Sequence, residues 1–158
     1  MNAHFSALDR TDRLILSELS NDARLSNKEL AARVQLAPSS CHARVRRLTE
    51  AGVLRGYHAA VHPPALGIGL RTLVAVRLAD HGEKTAQRVM SYLQTLPEVV
   101  DVYLVSGQDD LILQVAVRDT DHLRQVVFDQ VGARSEVADI KSSLIYEHYR
   151  APAYPDLL

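Results

Sequence analysis

The chain has 158 residues, enough for one ordinary domain or two small ones. Hydrophobic residues make up 47% and charged residues 23%, a composition that excludes a disordered protein. No apolar run approaches the roughly 20 residues of a membrane span, the N-terminus has no apolar signal-peptide core, and the one cysteine, Cys41, has no internal disulfide partner. These features predict a cytoplasmic protein without membrane contact.

The net charge of -1 hides an asymmetry along the chain. Residues 1–62 contain nine Lys and Arg against six Asp and Glu, a net charge of +3. Residues 63–158 contain nine against thirteen, a net charge of -4. A basic front and an acidic back predict two modules with different partners, although +3 does not by itself establish nucleic-acid binding.

The front of the chain predicts two helices before residue 36. Asp9 caps the first, and Asp12 adds negative charge to its first turn, near the positive end of the helix. The second begins at Asn27, because Ser26 and Glu29 have the S-x-x-E spacing of a capping box. The second helix is then only about two turns long.

A third helix is predicted between Pro38, which fits the first helical position, and Gly52, a typical stop. Cys41, Val45 and Leu48 recur at i, i+4 and i+7 and form its apolar face. At about 100° per residue, the opposite face carries Ser39, Ala43, Arg46 and Glu50, with Ser40, Arg47 and His42 beside it and Arg44 near the buried edge.

A short helix, a tight turn and a helix with a polar, basic outer face are typical of the helix-turn-helix, whose second helix enters the major groove of DNA. The alternative is a three-helix bundle with a solvated arginine face. Small polar residues at the start of the third helix favour close approach to bases. The predicted contacts to double-stranded DNA are Asn27, Lys28, Ser39, Ser40, His42, Ala43, Arg44, Arg46 and Arg47.

Catalytic and metal-binding patterns are weak. Cys41 lies on the apolar face and is interpreted as a small core residue rather than a nucleophile. His58 and His62 are four residues apart, but in a segment that looks extended, with no further ligand beside them. With no known catalytic motif present, we predict no enzymatic activity, no cofactor and no metal.

The back half alternates strands and helices. Residues 53–61 form either a strand or a hinge, ended by Pro63 and Pro64. The following elements have the order β-α-β-β-α-β, which is typical of the ferredoxin-like fold: a strand at 71–79, a helix at 82–96, hairpin strands at 99–107 and 111–119, a helix capped by Asp119 and ended by Gly132, and a strand at 137–150.

The hairpin tip SGQDD, residues 106–110, offers a recognition site. Backbone N–H groups around Gly107 could hold a carboxylate, while Asp109 or Asp110 could bind an ammonium, and these are the two ends of a free amino acid. The alternative is an ordinary turn rich in turn-forming residues.

Two segments, LDRTDRLILSELSNDARLSNKELAARVQLAPSSCHARVRRLTEAGVLRGY and VYLVSGQDDLILQVAVRD, resemble the Lrp/AsnC (leucine-responsive/asparagine-type, feast/famine) transcriptional regulators. The similarity covers roughly residues 8–150. It implies an α+β chain: an N-terminal winged-type helix-turn-helix, then a ferredoxin-like βαββαβ domain that dimerises and senses amino acids. It also implies that dimers join into octamers of four dimers, with the effector between dimers. The predicted spans are 1–52 for the DNA-binding domain, 53–70 for a linker strand or hinge, and 71–158 for the effector-sensing and oligomerisation domain.

The resemblance also implies effector-binding positions. The family pattern G-x-x-D matches Gly107 and Asp110, and further family positions correspond to Thr120 and to three residues of the last strand. The complete predicted effector set is Ser106, Gly107, Gln108, Asp109, Asp110, Thr120, Ser142, Ser143 and Leu144.

Two positions depart from the family pattern. Gln35 stands where relatives commonly have Gly in the helix-turn-helix turn, and a left-handed backbone there costs about 1 kcal/mol or more. Ala37 stands where relatives often cap the recognition helix with Ser, and losing such a cap costs about 1 kcal/mol.

The predicted function is a homo-oligomeric, sequence-specific DNA-binding regulator modulated by a small effector, an amino acid. The alternative is an effector-independent or architectural DNA-binding protein of the same fold. A third class, a small ferredoxin-like enzyme, is opposed by the missing catalytic constellation.

Overall fold

The computed structural model describes residues 8–151 and residue 153, and the chain divides into two compact units. The first comprises the described residues up to Ala60 together with residues 149–151 and 153, and the second comprises Val61–His148. The outermost parts of the predicted domain spans, residues 1–7, 152 and 154–158, lie outside the described residues. No helix in the described ranges is long and apolar enough to cross a membrane.

The first unit contains three helices, α1 (Arg10–Asn21), α2 (Asn27–Arg33) and α3 (Pro38–Glu50). Their starts confirm the sequence signals. Asp9 forms a capping box with Asp12 at α1, and Ser26 forms one with Glu29 at α2. One core joins the helices, with the apolar face of α3 turned inwards: its buried residues are Ile15 and Leu19 of α1, Leu30 and Ala31 of α2, Val34, and Cys41 and Leu48 of α3.

The turn between α2 and α3 has the left-handed geometry expected at Gln35, whose φ is 55°. The amide of Leu36 donates to the carbonyl of Ala31 at 2.9 Å, and that of Gln35 donates to Ala32 at 3.3 Å. These two bonds are a Schellman motif, in which glycine normally takes the place of Gln35. The expected loss of a cap is also confirmed, because Ala37 makes no side-chain hydrogen bond at the start of α3.

The second unit is a four-stranded antiparallel sheet of order β2-β3-β1-β4 covered by helices, which confirms the ferredoxin-like fold. Its elements are a short 3-10 helix (Pro63–Leu66), β1 (Leu70–Leu78), α4 (Glu83–Leu93), β2 (Val99–Leu104), β3 (Leu111–Val117), α5 (Thr120–Arg124) continued by a π-helix (Gln125–Gly132), and β4 (Val137–Leu144). Alternate residues of β1 and β3 are buried against α4 and the π-helix and form the core.

Three elements differ from the sequence prediction. The last strand stops at Leu144 rather than running to 150, because its pairing with β1 ends at Thr72 and only the amide of Ile145 still bonds back, to Arg71. The helix after Asp119 widens into a π-helix, which places Val126, Val127 and Val131 in the core. Residues 53–62 form no strand, so of the two alternatives the strand is wrong.

Replacing Gln35 by glycine should raise the free energy of unfolding by about 1 kcal/mol, because glycine avoids most of the left-handed penalty at this turn. Urea denaturation followed by circular dichroism measures the change. Gln94→Gly is the matched control, since Gln94 also ends a helix but with a φ of -65°. There the extra freedom of glycine in the unfolded chain should lower stability. A Gln35→Gly variant no more stable than the wild type would contradict the strain at this turn.

Candidate DNA-binding surface and effector site

The outer face of α3 is exposed, and buried residues on the opposite face hold the helix in place. Cys41 and Leu48 are fully buried on the opposite side and fix the rotation of the helix about its axis. This leaves a polar outer face formed by Ser39, Ser40, His42, Ala43 and Arg46, all of them exposed. The face therefore has the composition and placement that the helix-turn-helix interpretation requires.

Arg46 is the most accessible arginine of α3. Its side chain is 72% exposed and meets Glu50 at 3.3 Å, and Glu50 is itself 67% exposed. Such exposed i, i+4 pairs contribute a few tenths of a kcal/mol, so a phosphate can replace Glu50 easily. Arg46 is available to a polyanion.

Arg44 and Arg47 are held by acids from the start of α1. Nη1 of Arg44 donates to Oδ2 of Asp9 at 2.6 Å and to Oδ1 of Asp12 at 2.9 Å. Nη2 of Arg47 donates to Oδ2 of Asp12 at 2.6 Å. The Asp12 side chain is only 2% exposed, whereas that of Arg47 is 57% exposed. The two arginines thus tie α3 to α1 and are largely compensated in charge.

This second role of the two acids has no signal in the sequence. Asp9 and Asp12 are predicted as capping and first-turn residues, and they do cap α1, but their arginine partners lie 32 to 35 residues away. The amide of Asp12 lowers the pKa of the Asp9 carboxyl below its ordinary value, and the hydrogen bond from Arg44 lowers it further. No sequence periodicity links these positions, so only the fold reveals the pairing.

Two predicted DNA contacts belong to α2. Asn27 donates through Nδ2 to the carbonyl of Pro38 at 2.8 Å, which connects the start of α2 to the start of α3. Lys28 is exposed on the first turn of α2. Asn27 therefore has a positioning contact within the unit, and Lys28 faces solvent.

In the second unit, Asp110 fixes the loop between β2 and β3. Its Oδ2 accepts from the amide of Leu78 at 2.8 Å, and its Oδ1 lies 2.8 Å from Nδ1 of His81. The amide of Asp110 also donates to the carbonyl of Val76 at 3.0 Å. The Leu78 amide lowers the pKa of the Asp110 carboxyl below its ordinary value of 3.8, and His81 lowers it further. The loop is therefore attached to the end of β1.

The remainder of the loop is open. Gly107 has a φ of 134°, in the region that favours glycine, with open space where a Cβ would stand. Ser106 and Gln108 are exposed. Oδ1 of Asp109 lies 3.4 Å from Nζ of Lys141, a half-exposed side chain of β4. Sequence reasoning missed His81 and Lys141, because they reach the loop only through the sheet topology.

The structure does not bring the predicted effector residues into one place within a chain. The loop is attached beside Val76, whereas Ser142 pairs with Val74 and Leu144 pairs with Thr72. At about 3.4 Å per residue, these β4 residues lie roughly 7 to 14 Å further along the sheet. Thr120 follows the far end of β3, roughly 20 Å or more from the loop. The predicted set is therefore spread along the sheet, with the loop towards one end, Thr120 at the other, and the β4 residues between them.

A groove of about 350 Å³ lies at the end of the sheet away from the loop. It is bordered by Pro63, Ile68, Arg71, Leu144 and Tyr146, among others, so it includes one of the predicted effector residues. Among the described residues, no cluster of three or more His, Cys, Asp or Glu could hold a metal ion.

Comparison with known proteins covers both units. A family model described as winged helix-turn-helix DNA-binding matches residues 8–55, and one described as the Lrp/AsnC ligand binding domain matches residues 71–153.

The transcriptional regulator AldR of Mycolicibacterium smegmatis is 46% identical over 143 residues, which cover 90% of this chain and 84% of AldR. The leucine-responsive regulatory protein of Escherichia coli is 34% identical over 143 residues, with coverage of 90% and 87%. A Neisseria meningitidis transcriptional regulator solved as a complex with L-Met has a TM-score of 0.84 and 30% identity, covering 92% of this chain and 94% of that one.

The lowered pKa of Asp110 predicts a specific response to acid. Because the folded pKa lies below 3.8, the ionised form stabilises the fold above that pH, and the contribution disappears as the pH falls through the folded value. Between about pH 5 and pH 2, the free energy of unfolding should therefore fall more steeply for wild type than for Asp110→Asn, which cannot ionise there. The control is Asp101→Asn, which removes an exposed carboxylate from strand β2 and so measures the effect of losing one acidic charge from the sheet. Parallel pH curves for wild type and Asp110→Asn would contradict the assignment.

Proposed function

Because this chain belongs to the Lrp/AsnC family of helix-turn-helix transcriptional regulators, we propose that α3 is its recognition helix and that a free amino acid bound at the β2–β3 loop modulates its DNA binding. The family assignment confirms the predicted class, a DNA-binding regulator with an effector-responsive domain. The observation that carries the proposal for α3 is its exposed polar face, mounted on the buried Cys41 and Leu48.

The proposed roles of the DNA-binding residues follow from their surroundings. Ser39, Ser40, His42 and Ala43 face the base edges, because they are exposed near the N-terminal end of α3. Arg46, Arg47 and Lys28 contact phosphates. Arg44 and Asn27 act from within the unit, since both are engaged by neighbouring chain atoms.

Replacing Arg46 and Arg47 together by alanine should weaken binding to every duplex. The slope of log K against log salt should fall by about 0.9 for each phosphate that the variant no longer neutralises. Fluorescence anisotropy with an unselected duplex at several salt concentrations measures both quantities.

The matched control is Arg88→Ala with Arg124→Ala, which removes two exposed arginines from the second unit. It should change affinity and slope much less. Equal losses in the two double variants would refute a specific role for the α3 arginines.

The proposal of an amino-acid effector rests on the loop and on the relatives. The Neisseria relative was solved with L-Met, and the second unit matches a ligand-binding domain. Around Gly107 the open backbone supplies space for a carboxylate. Asp109 is compensated by Lys141, so Asp110, beside the exposed His81, supplies the negative charge for an ammonium.

The separation of the loop from Thr120 and Leu144 along the sheet supports a site shared between copies. We infer a homodimer through the second unit, with assembly to four dimers joining the loop of one copy to Thr120 and the end of β4 of another. Leu73 and Tyr103, on the face of the sheet away from the helices, and Leu144 on the edge strand β4 are 40 to 50% exposed, and such apolar surface favours association. A homodimer also presents two recognition helices to a pseudo-palindromic site. As a transcriptional regulator, the chain acts in the cytoplasm and catalyses no reaction.

One observation favours the second candidate, an effector-independent regulator. Both acids of the loop already have partners within the chain, Asp109 with Lys141 and Asp110 with Leu78 and His81. The carboxylates of the loop thus have charged or hydrogen-bonding partners without a ligand.

Calorimetric titration with the twenty amino acids separates the two candidates. We expect at least one to bind, and Asp110→Asn to weaken it about tenfold or more, because asparagine keeps an acceptor for the Leu78 amide but loses the charge. Asp101→Asn should leave the affinity unchanged. Sedimentation velocity on the same samples should show a dimer or larger species that shifts with the bound amino acid.

An amino acid bound equally well by wild type and Asp110→Asn would remove Asp110 from the site. No binding at millimolar concentration would favour the effector-independent candidate, and a stable monomer at micromolar concentration would contradict the assembly.

A further inference from the structure

The carboxylate of Asp12 is the most heavily engaged polar group in the described part of the first unit. Besides both arginines, its Oδ2 accepts from the amide of Asp9 at 3.3 Å. The side chain is 2% exposed, so its charge requires these partners. Its position is consequently fixed by α1 and α3 together.

The two arginines bound to Asp12 are not equivalent. Arg44 is 30% exposed and bridges Asp9 and Asp12, so its guanidinium is committed to the interior of the unit. Arg47 is 57% exposed and gives only Nη2 to Asp12. A guanidinium has five N–H donors in a fixed plane, so holding one of them orients the others.

We propose that Asp12 is a positioning residue for DNA binding, which holds Arg47 in the orientation that meets one phosphate of the specific complex. The inference rests on the proposed role of α3. Phosphate contacts fix the register of a protein on its duplex, and a donor held in place loses less freedom on forming such a contact. In non-specific complexes, where the register varies, a mobile charge serves as well as an oriented one.

Replacing Asp12 by asparagine should raise the affinity for non-specific DNA but lower the ratio of specific to non-specific affinity. Removing one negative charge should raise affinity for an unselected duplex, since the surface gains a net positive charge. Loss of the ionic anchor on Arg47 should lower the ratio of specific to non-specific affinity roughly tenfold, the size expected for one charge-assisted hydrogen bond. Asp22→Asn removes the same charge from an exposed residue at the end of α1 and should leave this ratio unchanged.

Because Asp12 is buried, the Asp12→Asn variant can fail to fold. In that case Arg47→Lys tests the same positioning role. Lysine keeps the charge but lacks the planar fork, so non-specific affinity should stay within about twofold while the ratio falls roughly tenfold. Arg33→Lys is the matched substitution, because Arg33 also pairs with a carboxylate of α1, Glu18 at 2.9 Å, and is not among the proposed DNA contacts. It should leave the ratio within about twofold.

The experiment uses the full chain, a duplex enriched from a random-sequence pool, and an unselected duplex of equal length. If wild type binds both equally, the proposed sequence-specific function fails, whatever the variants do. If wild type discriminates but Arg47→Lys does so equally well, the positioning role is overturned. Equal loss of discrimination in Arg33→Lys and Arg47→Lys would show that the loss is not specific to the arginine held by Asp12, and would overturn the proposal as well.

Discussion

The buried carboxylate of Asp12 is the constraint on which the first unit depends. A charge with 2% exposure is tolerated only with partners of opposite sign and hydrogen bonds to its oxygens, and here these come from both α1 and α3. The same residue also completes the capping box of α1. One side chain thus begins α1 and also fixes α1 to α3, so interactions on the inner side of α3 set the position of its outer face.

A carboxylate has a comparable role in the second unit. Asp110 accepts from the amide of Leu78 at the end of β1 and thereby holds the loop that follows β2. The proposed DNA-binding face of α3 is anchored by buried Cys41 and Leu48, and the β2–β3 loop is anchored to the central strand β1 of the sheet. This placement leaves Arg46 and Gly107 exposed and free of tertiary restraint.

Local sequence signals predicted the parts of the structure that neighbouring residues determine. Ser26 with Glu29, Pro38 and Gly52 fix helix ends within a few residues of themselves, and Gln35 takes the left-handed conformation that the family pattern implied. The strands β1 and β3 also follow from their apolar, β-branched sequence, whereas their alternating burial follows from the helices that cover one face of the sheet.

Contacts between distant residues were not predictable. Nothing in the spacing of Asp12 and Arg47, or of Asp109 and Lys141, indicates that they meet. The division of the effector set is also a property of the sheet order, which places Leu144 and the loop at different ends of β1. The end of β4 and the π-helix depend on pairing and packing that appear only once the unit has folded.

The most direct test of the account is a structure of the full chain bound to a duplex enriched from a random-sequence pool. We expect α3 in the major groove, with Ser39, Ser40 and His42 at base edges. We also expect Arg46 on a phosphate, and Arg47 bridging Asp12 and a second phosphate. A complex in which α3 faces away from the duplex, or in which Arg47 leaves Asp12 to reach it, would contradict the account.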